Sequence, residues 1–233
     1  MSERVVALLP MKANSERVRG KNFRPFAGKP LFRWILDSLL SVPDIDLVII
    51  NTDARHILAD NGLVDGDRVM IRDRSPEICG DFVSMNLVLA DDVANVPADI
   101  YCMTHTTNPL LKPATIQGAL SKYRSELAAG TADSLFTVQK TQTRFYRADM
   151  SAVNHDPDNL IRTQDLEPWF EENSNLYIFS QPSFAGTNAR IGKRPAMFEM
   201  PRTEGLDIDD AESWALAEAM ALYEQTFSSE VMA

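Results

Sequence analysis

Two clusters of opposite charge carry the chemistry in this chain. Between Pro10 and Arg33 lie Lys12, Arg17, Arg19, Lys21, Arg24, Lys29 and Arg33, opposed by Glu16 alone. From Thr203 onward there is no Lys or Arg, while eight acids follow, among them Asp207, Asp209, Asp210 and Glu212. Several cations, a small hydroxyl residue and backbone N–H groups in one loop suit a polyphosphate. The loop is not a Walker A sequence, because Gly20-Lys21 lacks a following Ser or Thr and Ser15 stands where the earlier glycine belongs. It does not read G-x-G-x-x-G either, so kinases, P-loop ATPases and dinucleotide dehydrogenases are disfavoured. At the acidic end, residues i and i+2 of an extended Asp207-Ile208-Asp209 point to one face while Ile208 turns to the core. Both carboxylates can then reach one hard cation such as Mg²⁺. Asp209-x-x-Glu212 also has the form of a capping box, a role compatible with ligation.

These clusters need a scaffold that brings residues far apart in sequence to one place. Residues 4–9, 46–50, 68–71, 100–103 and 134–138 read as short buried strands. Helices are expected after Gly28-Lys29-Pro30, after Asp53, over 81–94 and from Pro113, with Ile116, Ala119, Leu120, Tyr123 and Leu127 on one stripe of the last. Such alternation predicts an α/β fold, a mostly parallel sheet with helices on both faces. Over 141–198 the pattern changes to loops and short strands, notably 175–180 and 196–200, which reads as an excursion from the main sheet. Residues 209–227 close as a helix with Ala211, Trp214, Ala215, Ala219, Leu222 and Tyr223 on its stripe. Ligands of open parallel sheets bind beyond the carboxyl ends of the strands. Four polar clusters fall there: 10–22, 51–53, 104–108 and the segment near Asp207.

Composition narrows the class. The chain has 233 residues, 45% apolar and 24% charged, with a net charge of −10. That balance suits one globular domain across residues 1–233 and argues against nucleic acid or an anionic membrane as partner. No run approaches the roughly 18 apolar residues of a membrane helix. The apolar run ending at Leu9 is too short for a signal segment. Cys79 and Cys102 form no C-x-x-C pair, and a reduced cytoplasmic compartment is expected. The aromatics Phe145, Tyr146, Trp169, Phe170 and Phe184, on what reads as loop, need cover, so 141–198 is expected to form a homodimer contact. His155-Asp156-Pro157-Asp158 reads as a turn, not a metal cluster.

The basic loop, with Arg24-Pro25 and Gly28-Lys29-Pro30-Leu31 after it, resembles the opening of the acylneuraminate (CMP-sialic acid) cytidylyltransferase family. That family reads (L/I)PAR-x-x-S-K-G-x-x-x-KN and then a GKPL-like helix start. Further matches follow in order: Thr52-Asp53, Arg74-x-x-Glu77 leading to Asp81, Thr107-Asn108-Pro109-Leu110, Asn173-Ser174-Asn175-Leu176-Tyr177 and Asp207-Ile208-Asp209. The resemblance implies a Rossmann-like nucleotidyltransferase fold of the glycosyltransferase-A-like kind, usually a homodimer. It implies that CTP and an acid sugar give a CMP-sugar and pyrophosphate. By the same resemblance Lys12, Asn14, Ser15, Lys21 and Asn22 hold triphosphate and ribose, and Arg74, Asp81 and Val83 lie around the cytidine. His105, Thr107 and Asn108 face the acceptor, with Arg162 and Tyr177 across from them and Arg162 suited to a sugar carboxylate. Lys21, His105, Asp207 and Asp209 would carry the chemistry, with Mg²⁺ on the two aspartates. The general base stays open among His105, solvent and a metal-held hydroxide.

Departures concentrate on the acceptor side. Lys12 stands for the family's Arg, Glu16-Arg17 for Lys-Gly, His105 for Gln and Ser174 for Gly. A sialic-acid-like nonulosonate is the leading acceptor. Another acid, such as 3-deoxy-manno-octulosonate or a phosphonate, and a catalytically silent nucleotide-binding protein are the alternatives. If the segment from Arg74 to Asp81 reads the pyrimidine edge, CTP should be strongly preferred over ATP, GTP and UTP. Thermal stabilisation by the four nucleotides with Mg²⁺ tests this, and equal shifts from all four would contradict it.

Overall fold

The computed structural model describes residues 3–13 and 20–231. The chain runs β1 (Val5–Leu8), a two-residue hairpin β2 (Pro25–Phe26) and β3 (Lys29–Pro30), α1 (Leu31–Leu40), β4 (Leu47–Thr52), α2 (Arg55–Asp60) and β5 (Val69–Asp73). It continues through α3 (Met85–Asn95), β6 (Ile100–Thr104), α4 (Pro113–Ala129), β7 (Ser134–Thr141), β8 (Trp169–Phe179), α5 (Gln181–Thr187), β9 (Pro195–Glu199) and α6 (Ala211–Val231). Seven strands form one sheet in the order β5-β4-β1-β6-β8-β7-β9. All neighbours pair in parallel except β8, which is antiparallel to both β6 and β7. No helix of the described residues is long and apolar enough to cross a membrane.

Strand β1 shows why the sheet is buried on both sides. Its Val5 and Ala7 join Phe32, Ile35, Leu36, Ile116 and Leu120 from α1 and α4. Its Val6 and Leu8 face Leu89 and Val93 of α3 and Phe184 of α5 on the other side. A strand enclosed in this way reads as a continuous apolar run, as Val5 to Leu8 does. A third cluster lies beyond the sheet, where Phe26, Leu31, Leu110, Ile208, Trp214, Ala217 and Ala221 pack together. Trp214 meets Phe26 edge-on at 5.4 Å, and the Arg24 guanidinium lies 4.8 Å from the Trp214 ring centre.

Three expectations need correction. The helix expected over 81–94 begins at Met85, because the Ser84 hydroxyl accepts from the Asn86 N–H and caps it. Gly80, Asp81 and Val83 are thereby released to line a cleft. The segment 141–198 is only partly an excursion, since β8 and β9 belong to the main sheet and α5 between them packs on it, which leaves residues 142–168. Phe184 is accordingly core, whereas Phe145, Tyr146, Trp169 and Phe170 remain partly exposed. On α6 the buried stripe is Trp214, Ala217 and Ala221, while Leu222 and Tyr223 face outward at 50% and 57% exposure. Small alanines let the helix approach the hairpin closely, which a stripe through Leu222 and Tyr223 would not. Residues 155–158 form the expected turn, with Asp156 Oδ1 accepting from the Asp158 N–H.

Candidate active site

Strand order reverses around β1: the chain moves outward through β4 and β5, then returns to add β6 on the other side. The loops leaving β1 and β6 must therefore diverge, and the crevice between them is where such sheets bind ligands. A cleft of about 250 Å³ opens there. The sequence-derived residues Lys12, Lys21, Asn22, Arg74, Asp81, Val83, His105 and Thr107 all line it. Asn14 and Ser15 lie outside the described residues.

All four strand-end clusters meet through hydrogen bonds. The Met11 N–H donates to the Asn51 carbonyl, and the Ala13 N–H to Asp53 Oδ1 at 2.7 Å. Asn22 donates to the Lys12 carbonyl at 2.8 Å and accepts from the Thr106 hydroxyl at 2.6 Å. The acidic segment is tied in from several sides. Lys21 Nζ donates to the Ile208 carbonyl at 2.5 Å, and the Ile208 N–H donates to the Thr107 carbonyl at 2.9 Å. Asn108 Nδ2 reaches the Leu206 carbonyl at 3.3 Å, and Asn175 Nδ2 the Glu204 carbonyl at 2.7 Å. Ile208 is fully buried, and Asp207 and Asp209 flank it on the less buried side. Lys21 is only 8% exposed, so its charge is spent inside the site.

The capping reading shifts by one residue. Asp210, not Asp209, caps α6: its Oδ1 accepts from the Ser213 N–H at 2.8 Å, and its carbonyl accepts from the Trp214 N–H. Other acids of the cluster are also structural. Glu204 is buried and accepts from the Lys112 N–H at the start of α4, while Glu218 accepts from the Ala27 N–H and from Trp214 Nε1. Asp207 and Asp209 flank Ile208, whose carbonyl accepts from the cleft-lining Lys21. Two hard oxygen donors around a buried Ile208 fit a small divalent cation.

Arg74 is held rather than loose. Its Nε donates to Asn51 Oδ1 at 2.9 Å and its Nη2 to the carbonyls of Asn51 and Met11. Burial lowers its pKa, against the opposing pull of Asp53. Asn51 in turn donates to Asp92 Oδ1 at 2.9 Å and Asp91 Oδ2 at 3.2 Å, and Arg72 pairs with both acids. Asp92 is fully buried on α3, and burial raises its pKa despite Asn51 and Arg72. These residues fix the amide of Asn51, whose oxygen then aims Arg74 at the cleft; pattern reading could not find them, because Asp91-Asp92 looks like an ordinary helix surface. Across the mouth, Lys12 pairs with Asp81, both partly exposed. An exposed pair contributes roughly 0–1 kcal/mol, so it opens at small cost when a phosphate arrives.

The acceptor-side residues divide. Asn108 is fully buried beneath the cleft. Tyr177 is also buried, donating its hydroxyl to Glu172 Oε1 at 2.5 Å and accepting from Arg190 Nη2 at 3.2 Å. Ser174, where the family pattern has glycine, sits at φ 52 in a bulge between β7 and β8. Arg162 is not brought to the cleft; it pairs with Asp165 one turn away, its side chain 72% exposed. Arg190 lies beside the site without having been singled out in sequence.

Residues 6–228 match the sequence profile of the family described as cytidylyltransferase. An N-acylneuraminate cytidylyltransferase of Oncorhynchus mykiss is 26% identical over 226 residues, covering 94% of this chain and 50% of that protein. A CMP-N,N'-diacetyllegionaminic acid synthase of Legionella pneumophila is 27% identical over 232 residues, covering 93% of this chain and 96% of its own length. The chain spans about half the length of the fish N-acylneuraminate cytidylyltransferases it matches. In fold it resembles a CMP:2-keto-3-deoxy-manno-octonic acid synthetase complexed with CTP, at TM-score 0.65 and 16% identity, covering 95% of this chain and 99% of that one.

Withdrawal from water, with the charges of Arg190 and Lys21 nearby, pushes the His105 imidazole down from 6.5 to about 4. It is therefore neutral at pH 7 and adds no inflection to a rate profile between pH 6 and 8. In the unfolded chain it binds a proton near 6.5, and in the folded chain only near 4, so stability falls as pH drops through that window. The Tm loss between pH 7 and pH 5 should be smaller in His105→Gln than in the parent. An equal or larger loss would show that His105 titrates normally.

Proposed function

Because this chain belongs to the cytidylyltransferase family, we propose that it transfers CMP from CTP to a sialic-acid-like nonulosonate, releasing pyrophosphate. The observation that carries the reading is the convergence of Lys12, Lys21 and Arg74 on one cleft at the β1/β6 reversal, with the Asp207–Asp209 segment pinned at its rim. The acceptor hydroxyl oxygen attacks the α-phosphorus in line and gives up its proton to solvent or to the neutral His105; a P–O bond forms, and the bond to the bridging oxygen breaks as pyrophosphate leaves. Positioning and charge neutralisation carry such a reaction. Lys21, buried and aimed by the Ile208 carbonyl, stands ready for phosphate oxygens, and Lys12 can exchange Asp81 for the triphosphate. Arg74, Asp81 and Val83 border the end assigned to the cytosine. Neutral His105 and Thr107 offer hydrogen bonds to the acceptor. Asp207 and Asp209 would hold Mg²⁺, which supplies charge neutralisation at the phosphates when bound.

Pyrophosphate release from CTP with N-acetylneuraminate, N,N'-diacetyllegionaminate, pseudaminate and 3-deoxy-manno-octulosonate tests the reaction and separates the acceptors. CTP binding without release from any of them would favour a silent nucleotide-binding protein. Asp207→Asn and Asp209→Asn should abolish turnover and Mg²⁺ dependence with little change in Tm. Asp210→Ala should cost about 1 kcal/mol of stability through the lost cap and leave Mg²⁺ dependence intact. Near-normal rates at low Mg²⁺ in both asparagine variants would overturn the metal assignment.

The reading includes a homodimer. Phe145 and Trp169 stack at 5.2 Å on the segment that leaves the sheet, yet both stay more than a third exposed, at 37% and 39%. Leu160 and Ile161 are exposed beside them in sequence. A second copy of the chain covering this surface should give a dimer by sedimentation velocity at micromolar concentration, and Phe170→Glu should weaken it. A clean monomer would remove the dimer from the proposal.

A further inference from the structure

The arginine that faces the acceptor end of the site is not the one the sequence pattern suggested. Arg190 follows α5 and folds back over β8, its guanidinium carbon 4.1 Å from the centre of the Tyr177 ring. Register places Tyr177 opposite Met103 on β6, and the alternation Tyr101, Met103, His105 brings His105 to the same face. Arg190 and its neighbours Ser84, Asn86 and Glu172 border a hollow of about 310 Å³. Met85 lines both this hollow and the main cleft, so the two adjoin.

We propose that Arg190 holds the anionic group of the acceptor, and that this second hollow takes a polyhydroxylated carboxylic acid while the main cleft takes CTP. The proposal rests on the cytidylyltransferase reading above. Arg190 is half-buried, and its side chain bonds only the Tyr177 hydroxyl, making no ion pair with a described residue. A guanidinium over the ring that gives one N–H to the ring's hydroxyl keeps its other N–H groups for a carboxylate, which it can hold with two parallel bonds. Its backbone is anchored as well, since the Arg190 N–H donates to Asn86 Oδ1 at 3.4 Å. Arg190 is the cation in the lining of the hollow, and Lys21 lies in the adjoining cleft. Glu172 is the acid in the lining; its Oε1 accepts from Tyr177, which leaves its other oxygen for a sugar hydroxyl. The Tyr177 hydroxyl bonds both groups, so a cation and a hydrogen-bond acceptor stand side by side, which suits a hydroxy acid rather than a neutral sugar or a second nucleotide.

Binding of the four acids named above, by calorimetry in the presence of CTP, should be compared in the parent, Arg190→Gln and Arg190→Lys, alongside CTP affinity. Arg190→Gln should weaken the acid bound by the parent at least tenfold and leave CTP affinity within twofold. Arg190→Lys should recover part of the loss by restoring charge without the fork. The carboxamide of the same acid should bind the parent and Arg190→Gln alike. An unchanged acid affinity in Arg190→Gln, or a parallel loss of CTP affinity, would overturn the assignment while leaving the proposed function standing. If the parent binds CTP but none of the acids, the acceptor class falls, and this proposal falls with it.

Discussion

The backbone of Ile208 is the point on which the site depends. Its N–H is held by the Thr107 carbonyl after β6 and its carbonyl by the buried ammonium of Lys21 after β1. Three loops from remote parts of the chain are locked by two hydrogen bonds at one residue, whose side chain is anchored in the Trp214 cluster. A hydrogen bond to a charged donor contributes roughly 1.5–3 kcal/mol, and a buried lysine without an acceptor would be costly. Movement of the segment away from the cleft would break both bonds at once. The backbone between Asp207 and Asp209 thus fixes where the carboxylate pair lies relative to Lys21.

The same economy of means recurs on the β4 side. Arg74 is not steered by a carboxylate of its own. It is steered by the side-chain and backbone oxygens of Asn51, whose amide is in turn oriented by Asp91 and Asp92. An arginine salt-bridged directly to an acid would present a neutralised face to a nucleotide. Transfer of the orienting charge one residue back keeps Arg74 aimed while its charge stays available. The cost is borne at Asp92, a carboxylate kept away from water beside Arg72.

Much of this was legible in the sequence because it follows from alternation. Short apolar runs separated by amphipathic helices define a parallel sheet, and a parallel sheet gathers its polar loops at one end. Lys12, Lys21, His105 and Thr107 could be placed together on that rule, and Arg74 joined them only through the resemblance to the family. What alternation does not encode is pairing at long range. Arg162 and Arg190 both lie in irregular sequence; the second folds back onto Tyr177, and only the pairing of β8 with β6 brings the two beside the loop that carries His105. Helix caps posed a finer problem: Asp207, Asp209 and Asp210 are chemically alike, and which one caps α6 depends on where the Ser213 hydroxyl falls.

The antiparallel strand has a further consequence for how the chain acquires its shape during synthesis. Strands β1, β4, β5 and β6 can associate as soon as they are made, but β7 does not touch β6; β8 stands between them. A nascent chain that has emerged only through Thr141 thus exposes an unsatisfied apolar strand edge on β6 and carries β7 with no ladder to join. Both are relieved in one event, when the eleven residues of Trp169–Phe179 arrive and pair on both sides. Such late, long-range insertion is slow, and the open edge is the vulnerable point for association with other chains. The pairing of Tyr177 with Met103, two residues before His105, comes into being in that same closing step.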